Sequence, residues 1–121
     1  MTNFPLASSP FEKEADIDLS IVIVSFNTKE LLLQCLASIK KNTTGLQKEI
    51  FVVDNASVDG SPDAVSKRFP NVQLIRNQEN KGLSSAGNQA FRKSQGRYLI
   101  LLYPFHLSNP LSVLASLRGI V

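Results

Sequence analysis

The run IFVVDNASVDGSP, residues 50–62, constrains the fold more than any other part of this chain. Its first four residues are apolar and favour a strand that is buried on both faces of a sheet and ends at Asp54. Ser61 and Pro62 then have the pattern of a helix N-cap and a first helical residue. A carboxylate is thus predicted at the carboxyl end of a buried parallel strand, where open α/β sheets bind ligands. For Asp54 alone, a polar turn without a ligand is the alternative.

Strand patterns alternate with helix patterns along the whole chain. The order β-α-β-α-β-α-β-α at this spacing predicts right-handed crossovers and a mostly parallel sheet of about four strands. Asn27 and Glu30 have capping-box spacing, so the first helix should start there. Leu111, Leu114 and Leu117 mark a last helix. The predicted strands are 19–25, 50–54, 72–76 and 98–102, and the other helices are 62–68 and 83–94, the latter stopped by Gly96.

Composition excludes several classes of protein. The chain has 121 residues, a length that suits one domain. Its net charge of +3 is compatible with phosphate-bearing ligands but is too small to indicate nucleic-acid binding. The single cysteine, Cys35, lies on the apolar stripe of the first helix and is interpreted as a buried hydrophobe. A single cysteine cannot form an internal disulfide, which favours a reducing, cytoplasmic location. Peripheral association with a membrane is the alternative location. No transmembrane run of ~20 apolar residues or secretory signal is present. Residues 1–17 are expected to form a flexible tail and 18–121 the domain.

Polar residues follow three of the predicted strands, at an edge that parallel strands share. They suggest a nucleotide site, because a carboxylate accepts from a base N–H and a lysine binds phosphate. Dinucleotide, phosphate-loop and zinc motifs are absent, and the lone His106 is interpreted as a loop residue. The polar set is Asn27, Asp54, Asn55, Asp59, Asn80, Lys81 and Gly82.

Four sequence blocks occur in order along the chain: SIVIVSFN, IFVVDNASVDGS, NKGLSSAGNQAF and GRYLILLYP. They resemble the blocks of family 2 glycosyltransferases, which are inverting enzymes of the GT-A fold. Gly87-Asn88 is similar to the rhamnosyltransferase-like members. The resemblance covers about residues 18–104. It implies a Rossmann-like, three-layer α/β/α half-domain that binds nucleotide.

The resemblance implies a nucleotide-sugar-binding site built from the loops after the first three strands. The loop after strand one would lie against the base and ribose, and Asp54 would bind the base. The start of the third helix would border the diphosphate of a UDP- or dTDP-sugar donor. The implied residues are Ser25, Phe26, Asn27, Asp54, Asn55, Ser57, Lys81, Gly82 and Asn88.

The chain departs from the family after strand four. There the resemblance implies an aspartate that helps to hold Mg²⁺ or Mn²⁺ on the diphosphate, but this sequence has Phe105, which cannot ligate a metal. His106 is a poor ligand for a hard cation. No Asp or Glu follows in the sequence. No metal-binding or catalytic residue is therefore assigned.

The resemblance implies transfer of a sugar from a nucleotide-diphospho-sugar to a hydroxyl acceptor, with inversion, in cell-surface polysaccharide synthesis. The family's second half, with its acceptor site and catalytic base, is missing from these 121 residues, which indicates a truncated chain. The alternatives are a non-catalytic nucleotide-binding remnant and an interaction module. An open sheet edge beyond strand four would favour self-association.

Overall fold

A computed structural model of the protein describes residues 16–104 and the backbone of Leu117–Arg118. Strands and helices alternate over residues 19–102 in the order that the sequence predicts. The elements are β1 (Leu19–Ser25), α1 (Lys29–Asn42), β2 (Lys48–Asn55), α2 (Ser61–Arg68), β3 (Gln73–Asn77), α3 (Gly82–Phe91), β4 (Tyr98–Leu102) and β5 (Leu117–Arg118).

The strands form one sheet in the order β3-β2-β1-β4-β5. β1 pairs in parallel with both β2 and β4, and β2 pairs in parallel with β3. The four-stranded parallel sheet is therefore confirmed. Because all four strands run the same way, their carboxyl ends lie at one edge, and that edge carries Asp54.

The two faces of the sheet bury different residues of the same strands. Ile21 and Ile23 of β1 pack with α1 and α2, whereas Val22 and Val24 pack with α3. This separation follows from the pleat, since successive side chains of a strand point to opposite faces. Helices on both faces give the predicted three-layer α/β/α arrangement and explain why the middle of β1, Ile21–Val24, is entirely apolar.

Helix α1 buries the stripe that its sequence predicts. Its buried residues are Leu32, Leu33, Cys35, Leu36 and Ile39. Its start differs from the capping-box prediction, because the N-cap is Thr28 and the helix begins at Lys29. Asn27 has φ 52°, in the left-handed region, and its side chain bonds to another loop.

The ends of the other two helices also differ from the predictions. The N-cap of α2 is Gly60 and its first residue is Ser61, so Ser61 is not the cap. Helix α3 ends at Phe91, three residues before the predicted Ser94. Gly96 is not its stop but a point of close approach to β1. A Cβ on Gly96 would lie 2.5 Å from the Ser20 Oγ and 2.6 Å from the Ser20 nitrogen.

The edge beyond β4 is not open as predicted. Short strand β5 pairs antiparallel with β4, with Arg118 opposite Leu99 and Leu117 opposite Ile100. Leu117 therefore lies in a strand and not in the predicted last helix, because its backbone hydrogen bonds go to the sheet. The rest of that helix, Phe105, His106 and residues 1–15 of the predicted tail lie outside the described residues. Self-association stays a prediction.

Candidate functional site

The loops after β1, β2 and β3 meet at the carboxyl edge of the sheet. The pairing register places Ser25 beside Asp54, and Asn55 beside Asn77. Helix α3 begins directly after the loop that follows β3. The edge therefore brings together the ends of three strands and the first turn of one helix, which is the usual place for a ligand in an open α/β sheet.

Asp54 is buried, with 2% of its surface exposed, and its two carboxylate oxygens have different environments. The Oδ2 atom accepts a 2.9 Å hydrogen bond from the backbone amide of Ser57. The Oδ1 atom is also buried, and it has no hydrogen-bond partner among the described residues. An unsatisfied buried carboxylate oxygen is costly, so this acceptor has a strong tendency to take an N–H or O–H donor.

The loop after β1 is fastened to the loop after β2. The Asn27 amide donates a 2.8 Å bond to the Ser57 hydroxyl, and the Val58 amide donates a 2.8 Å bond to the Asn27 Oδ1. These two bonds hold Asn27 in its left-handed conformation, which asparagine tolerates better than most residues. Phe26, the preceding residue, is left 39% exposed near Asp54. An exposed ring here can stack on a planar ligand.

Asp59 joins the starts of two helices. Its Oδ2 accepts a 3.0 Å bond from the Lys29 amide at the start of α1. Its Oδ1 accepts from the amide of Ser61, at 3.0 Å, and from the Ser61 hydroxyl. Burial by itself raises the pKa of Asp59, but the bonds from Ser61 and Lys29 outweigh it and hold the pKa below its ordinary value. Asp59 is therefore a structural residue and not a free acid or base.

Asn55 is buried and connects β2 to the start of α3. Its Oδ1 accepts from the Lys81 amide at 3.3 Å, and its Nδ2 donates to the Gly82 carbonyl at 3.3 Å. The same Oδ1 accepts a 3.0 Å bond from the Nδ2 of Asn77. Asn77 and Gln89 exchange two bonds, of 2.8 Å and 2.9 Å. The loop that carries Asp54 and the first turn of α3 are thus parts of one hydrogen-bonded unit.

The first turn of α3 is open to a ligand. The N-cap residue Lys81 makes no side-chain cap bond, and Gly82 has φ 81°, where glycine is favoured. Both residues are exposed, and the Lys81 ammonium faces solvent. Their amides already donate, that of Lys81 to the Asn55 Oδ1 at 3.3 Å and that of Gly82 to the Asn80 Oδ1 at 2.9 Å. The amides of this turn that remain for a ligand are those of Leu83 and Ser84. Such a turn attracts an anion. Asn88 is also exposed, but it lies about 9 Å further along the helix axis and makes no side-chain hydrogen bond to a described residue.

The predicted site residues therefore divide into two sets. Phe26, Asp54 and the Lys81-Gly82 turn present groups to a ligand, whereas a second set holds the loops. Asn88 belongs to neither set, because its side chain bonds to no described residue and lies further along α3. Asn77 and Gln89 were missed by the sequence reasoning, and the position of Asn77 at a strand end was the available signal. The supporting set is Ser25, Asn27, Asn55, Ser57, Asp59 and Asn80, the last of which accepts from the Gly82 amide.

The described residues contain no preformed cluster of metal ligands. No group of three or more His, Cys, Asp or Glu side chains comes together within residues 16–104. Positions 105 and 106, where the sequence departs from the family pattern, lie outside the described residues.

Cys35 is buried in the core, as the sequence predicts. Burial raises the pKa of its thiol to about 11, so the thiolate that a nucleophile requires does not form near neutral pH.

Among the helices of the described part, none has the length and hydropathy needed to cross a membrane.

Comparison with known proteins gives consistent matches. The family model described as Glycosyl transferase family 2 matches residues 20–102. An uncharacterized glycosyltransferase, YfnE, of Bacillus subtilis (strain 168) is 34% identical over 95 residues, which cover 77% of this chain and 23% of the relative. A dolichol-phosphate mannosyltransferase of Pyrococcus furiosus is 32% identical over 87 residues, 69% of this chain and 24% of the relative. The chain thus spans about a quarter of the length of these relatives.

Solved structures show the same fold. A mannosyltransferase from Pyrobaculum calidifontis in complex with GDP-Man and Mn²⁺ gives a TM-score of 0.63 at 23% identity, covering 77% of this chain and 32% of that one. TarS of S. aureus, residues 1–349 in complex with UDP, gives a TM-score of 0.66 at 21% identity, covering 72% of this chain and 27% of that one. The sheet and helices described above are therefore those of the amino-terminal part of a GT-A domain.

Proposed function

Because this chain belongs to glycosyl transferase family 2, we propose that it forms the donor-binding part of a glycosyltransferase and holds the nucleotide of a nucleotide-diphospho-sugar. The observation that carries this proposal is the buried Oδ1 of Asp54, which has no partner within the described residues. It lies at the carboxyl end of β2, the usual place for a ligand in an open α/β sheet. A base N–H would supply the missing hydrogen bond.

The chemistry of Asp54 favours some bases over others. Uracil and thymine present the N3–H of an imide, and guanine presents the N1–H, so each can donate to a carboxylate oxygen. Cytosine can donate to a carboxylate only through its N4 amino group, because its N3 atom carries a lone pair. A base that donates to Asp54 could also stack on the exposed ring of Phe26, which follows the neighbouring strand. We therefore propose a UDP- or dTDP-sugar as the donor, with a guanine nucleotide as the nearest competitor.

The sugar diphosphate would extend towards the first turn of α3. The amides of Leu83 and Ser84 and the Lys81 ammonium would supply donors and positive charge for phosphate oxygens. The Asn55 side chain holds this turn at a fixed position relative to Asp54 through Lys81 and Gly82. Base and diphosphate contacts would thus be positioned by one rigid unit, which lowers the entropy cost of binding.

In the whole protein, we propose that the bound donor passes its sugar with inversion to a hydroxyl acceptor in cell-surface polysaccharide synthesis. The acceptor site and catalytic base would come from residues beyond those described, because Asp54 and Asp59 are engaged in base binding and helix capping. A cytoplasmic location, where nucleotide sugars are made, fits this proposal. No step is assigned to a metal ion, since the described residues do not form a site for one.

A thermal-shift titration tests the donor site. UDP, dTDP, GDP and CDP are added to this chain with and without Mn²⁺, and the same titrations are made on Asp54→Ala. The matched control is Asp63→Ala, which removes an exposed carboxylate from α2. We expect UDP or dTDP to raise Tm in the parent and the control but not in Asp54→Ala. An equal shift in all three proteins would overturn the assignment of Asp54. A shift without Mn²⁺ would favour a nucleotide-binding module over a metal-dependent enzyme.

A further inference from the structure

A groove lies at the edge of the sheet opposite Asp54, where β2 and β3 begin and where α1 and α2 end. Its volume is about 490 Å³, which is within the ordinary range of ligand-binding cavities. We call it the basal groove. Its apolar lining comes from Leu36, Ile50, Phe69 and Val72.

Three cations surround the apolar lining of the basal groove. Lys40 and Arg68 lie in the last turns of α1 and α2, and Lys48 begins β2. The helix dipole suits cations at these two ends but does not neutralise them. In the described part of the chain the one ion pair joins Arg76 to Asp63, so none of the three has a carboxylate partner.

Glu49 also lines the basal groove, but its carboxylate does not pair with these cations. The Oε2 of Glu49 accepts 2.6 Å bonds from the Ser20 hydroxyl and from the Gln95 amide. It is therefore directed towards β1 and the segment after α3. The basal groove combines apolar surface with a net positive charge, which suits an occupant that carries an apolar side chain next to carboxylates.

A segment with this combination of side chains directly precedes a residue that lines the groove. Ile17 lines the groove, and the six residues before it are Phe11-Glu12-Lys13-Glu14-Ala15-Asp16. They combine one aromatic ring with three carboxylates and one lysine. An extended chain advances about 3.3 Å per residue, so Glu14 is within about 10 Å of Ile17. The short connection gives the segment a high effective concentration at the groove.

We propose that residues 11–16 of this chain bind in the basal groove, with Phe11 on its apolar lining and Glu12 and Glu14 paired with its cations. Binding would cover apolar surface at the sheet edge remote from the nucleotide site. The pairing would also give two of the three cations a carboxylate partner, which none of them has among the described residues. This inference does not depend on the proposed donor site.

Paramagnetic broadening in NMR spectra of the full chain tests the proposal. Ser9→Cys is labelled with a thiol-specific spin label, which leaves the buried Cys35 unmodified. The signals of interest are the amides of Lys48 and Asn71 at the groove, compared with that of Ser57 at the opposite edge. We expect loss of intensity at Lys48 and Asn71 and little loss at Ser57.

A segment joined to the chain at Ile17 stays near the groove even when it does not bind there. Reversing the charges of the groove cations distinguishes these two cases. Lys40→Glu/Lys48→Glu/Arg68→Glu should restore the groove signals, and adding Glu12→Lys/Glu14→Lys to that variant should broaden them again. A thermal melt confirms that each variant is folded. Equal broadening in all three proteins would overturn the proposal. Broadening that appears only on unlabelled chains mixed with labelled ones would also overturn it, because a second copy would then be the occupant.

Discussion

The backbone amide of Asn27 donates a 2.8 Å hydrogen bond to the hydroxyl of Ser57, across thirty residues of sequence. Ser57 in turn donates its own amide to the Oδ2 of Asp54. The loop after β1 therefore fixes the loop after β2, and both fix the carboxylate whose second oxygen has no partner among the described residues. The geometry of Asp54 depends on a hydroxyl that would not itself touch the nucleotide.

Ser57→Ala should lower stability by about 1 kcal/mol, because the Asn27 amide loses its acceptor. Nucleotide binding should weaken as well, since the Phe26-Asn27 turn becomes free to move. Urea unfolding and a UDP titration measure the two effects. Ser66→Ala, at an exposed position of α2, is the control and should change neither. A Ser57→Ala protein of unchanged stability would contradict the role given to this hydroxyl.

Asp59→Asn should destabilise the chain by about 1 kcal/mol at neutral pH, because two helix starts lose a charged acceptor. The pKa of Asp59 is lowered in the folded state, so its stabilising effect is present above the unfolded pKa. That effect is lost as pH falls through the lower, folded pKa. Denaturant unfolding from pH 7 to pH 3 should therefore show the parent approaching the variant in stability. A constant difference across this range would be inconsistent with the hydrogen bonds of Asp59.

Asn77 and Gln89 should show coupling in a double-mutant cycle. Each single change to Ala leaves a polar partner unpaired, so the double variant should lose less stability than the sum of the two singles. A coupling between 0.5 and about 3 kcal/mol is expected for groups in one network. Gln73→Ala, at an exposed position of β3, provides a control that should be additive with Gln89→Ala. Additivity for Asn77 and Gln89 would show that their two bonds are not formed in solution.

Two glycines should respond to alanine in opposite ways. Gly96→Ala places a Cβ at 2.5 Å from the Ser20 Oγ, so β1 and the segment before β4 must separate, at a cost of about 1–3 kcal/mol. Gly87→Ala places its Cβ at 3.4 Å from the Phe91 ring, an ordinary contact. Within helix α3 that change should be neutral or stabilise by up to about 1 kcal/mol. Thermal melts of the two variants, made side by side, test the contrast.

Cys35 should be unreactive towards thiol reagents in the folded chain. Burial raises the pKa of its thiol to about 11, so the fraction of thiolate is very small at pH 8. Reaction with a maleimide should become rapid only after unfolding in denaturant. The raised pKa also means that this thiol destabilises the fold as pH rises from about 9 towards 11, because the unfolded state ionises first. Rapid labelling of native protein at pH 7 would indicate that the core opens.

The local pattern of the sequence was sufficient for the four parallel strands, the buried stripe of α1 and the position of Asp54 at a strand end. These features depend on periodicity and on residues close in the chain, so they can be read without knowledge of distant contacts. The helix starts were less well predicted. Asn27 and Ser61 have the side chains of N-caps, yet Asn27 bonds to Val58 and Ser61 bonds to Asp59.

Only the tertiary structure decided which polar groups support the site and which remain free. The pairing of β5 with β4, the Asn55–Asn77–Gln89 network and the close approach of Gly96 to Ser20 all join residues far apart in sequence. Asp54 shows the division most clearly. Its place at the edge follows from the apolar run before it. The packing of the loops decides that the Asp54 Oδ2 accepts from Ser57 and that the Oδ1 has no partner among the described residues. Hydrogen bonds depend on interatomic distances, and no sequence pattern contains these distances.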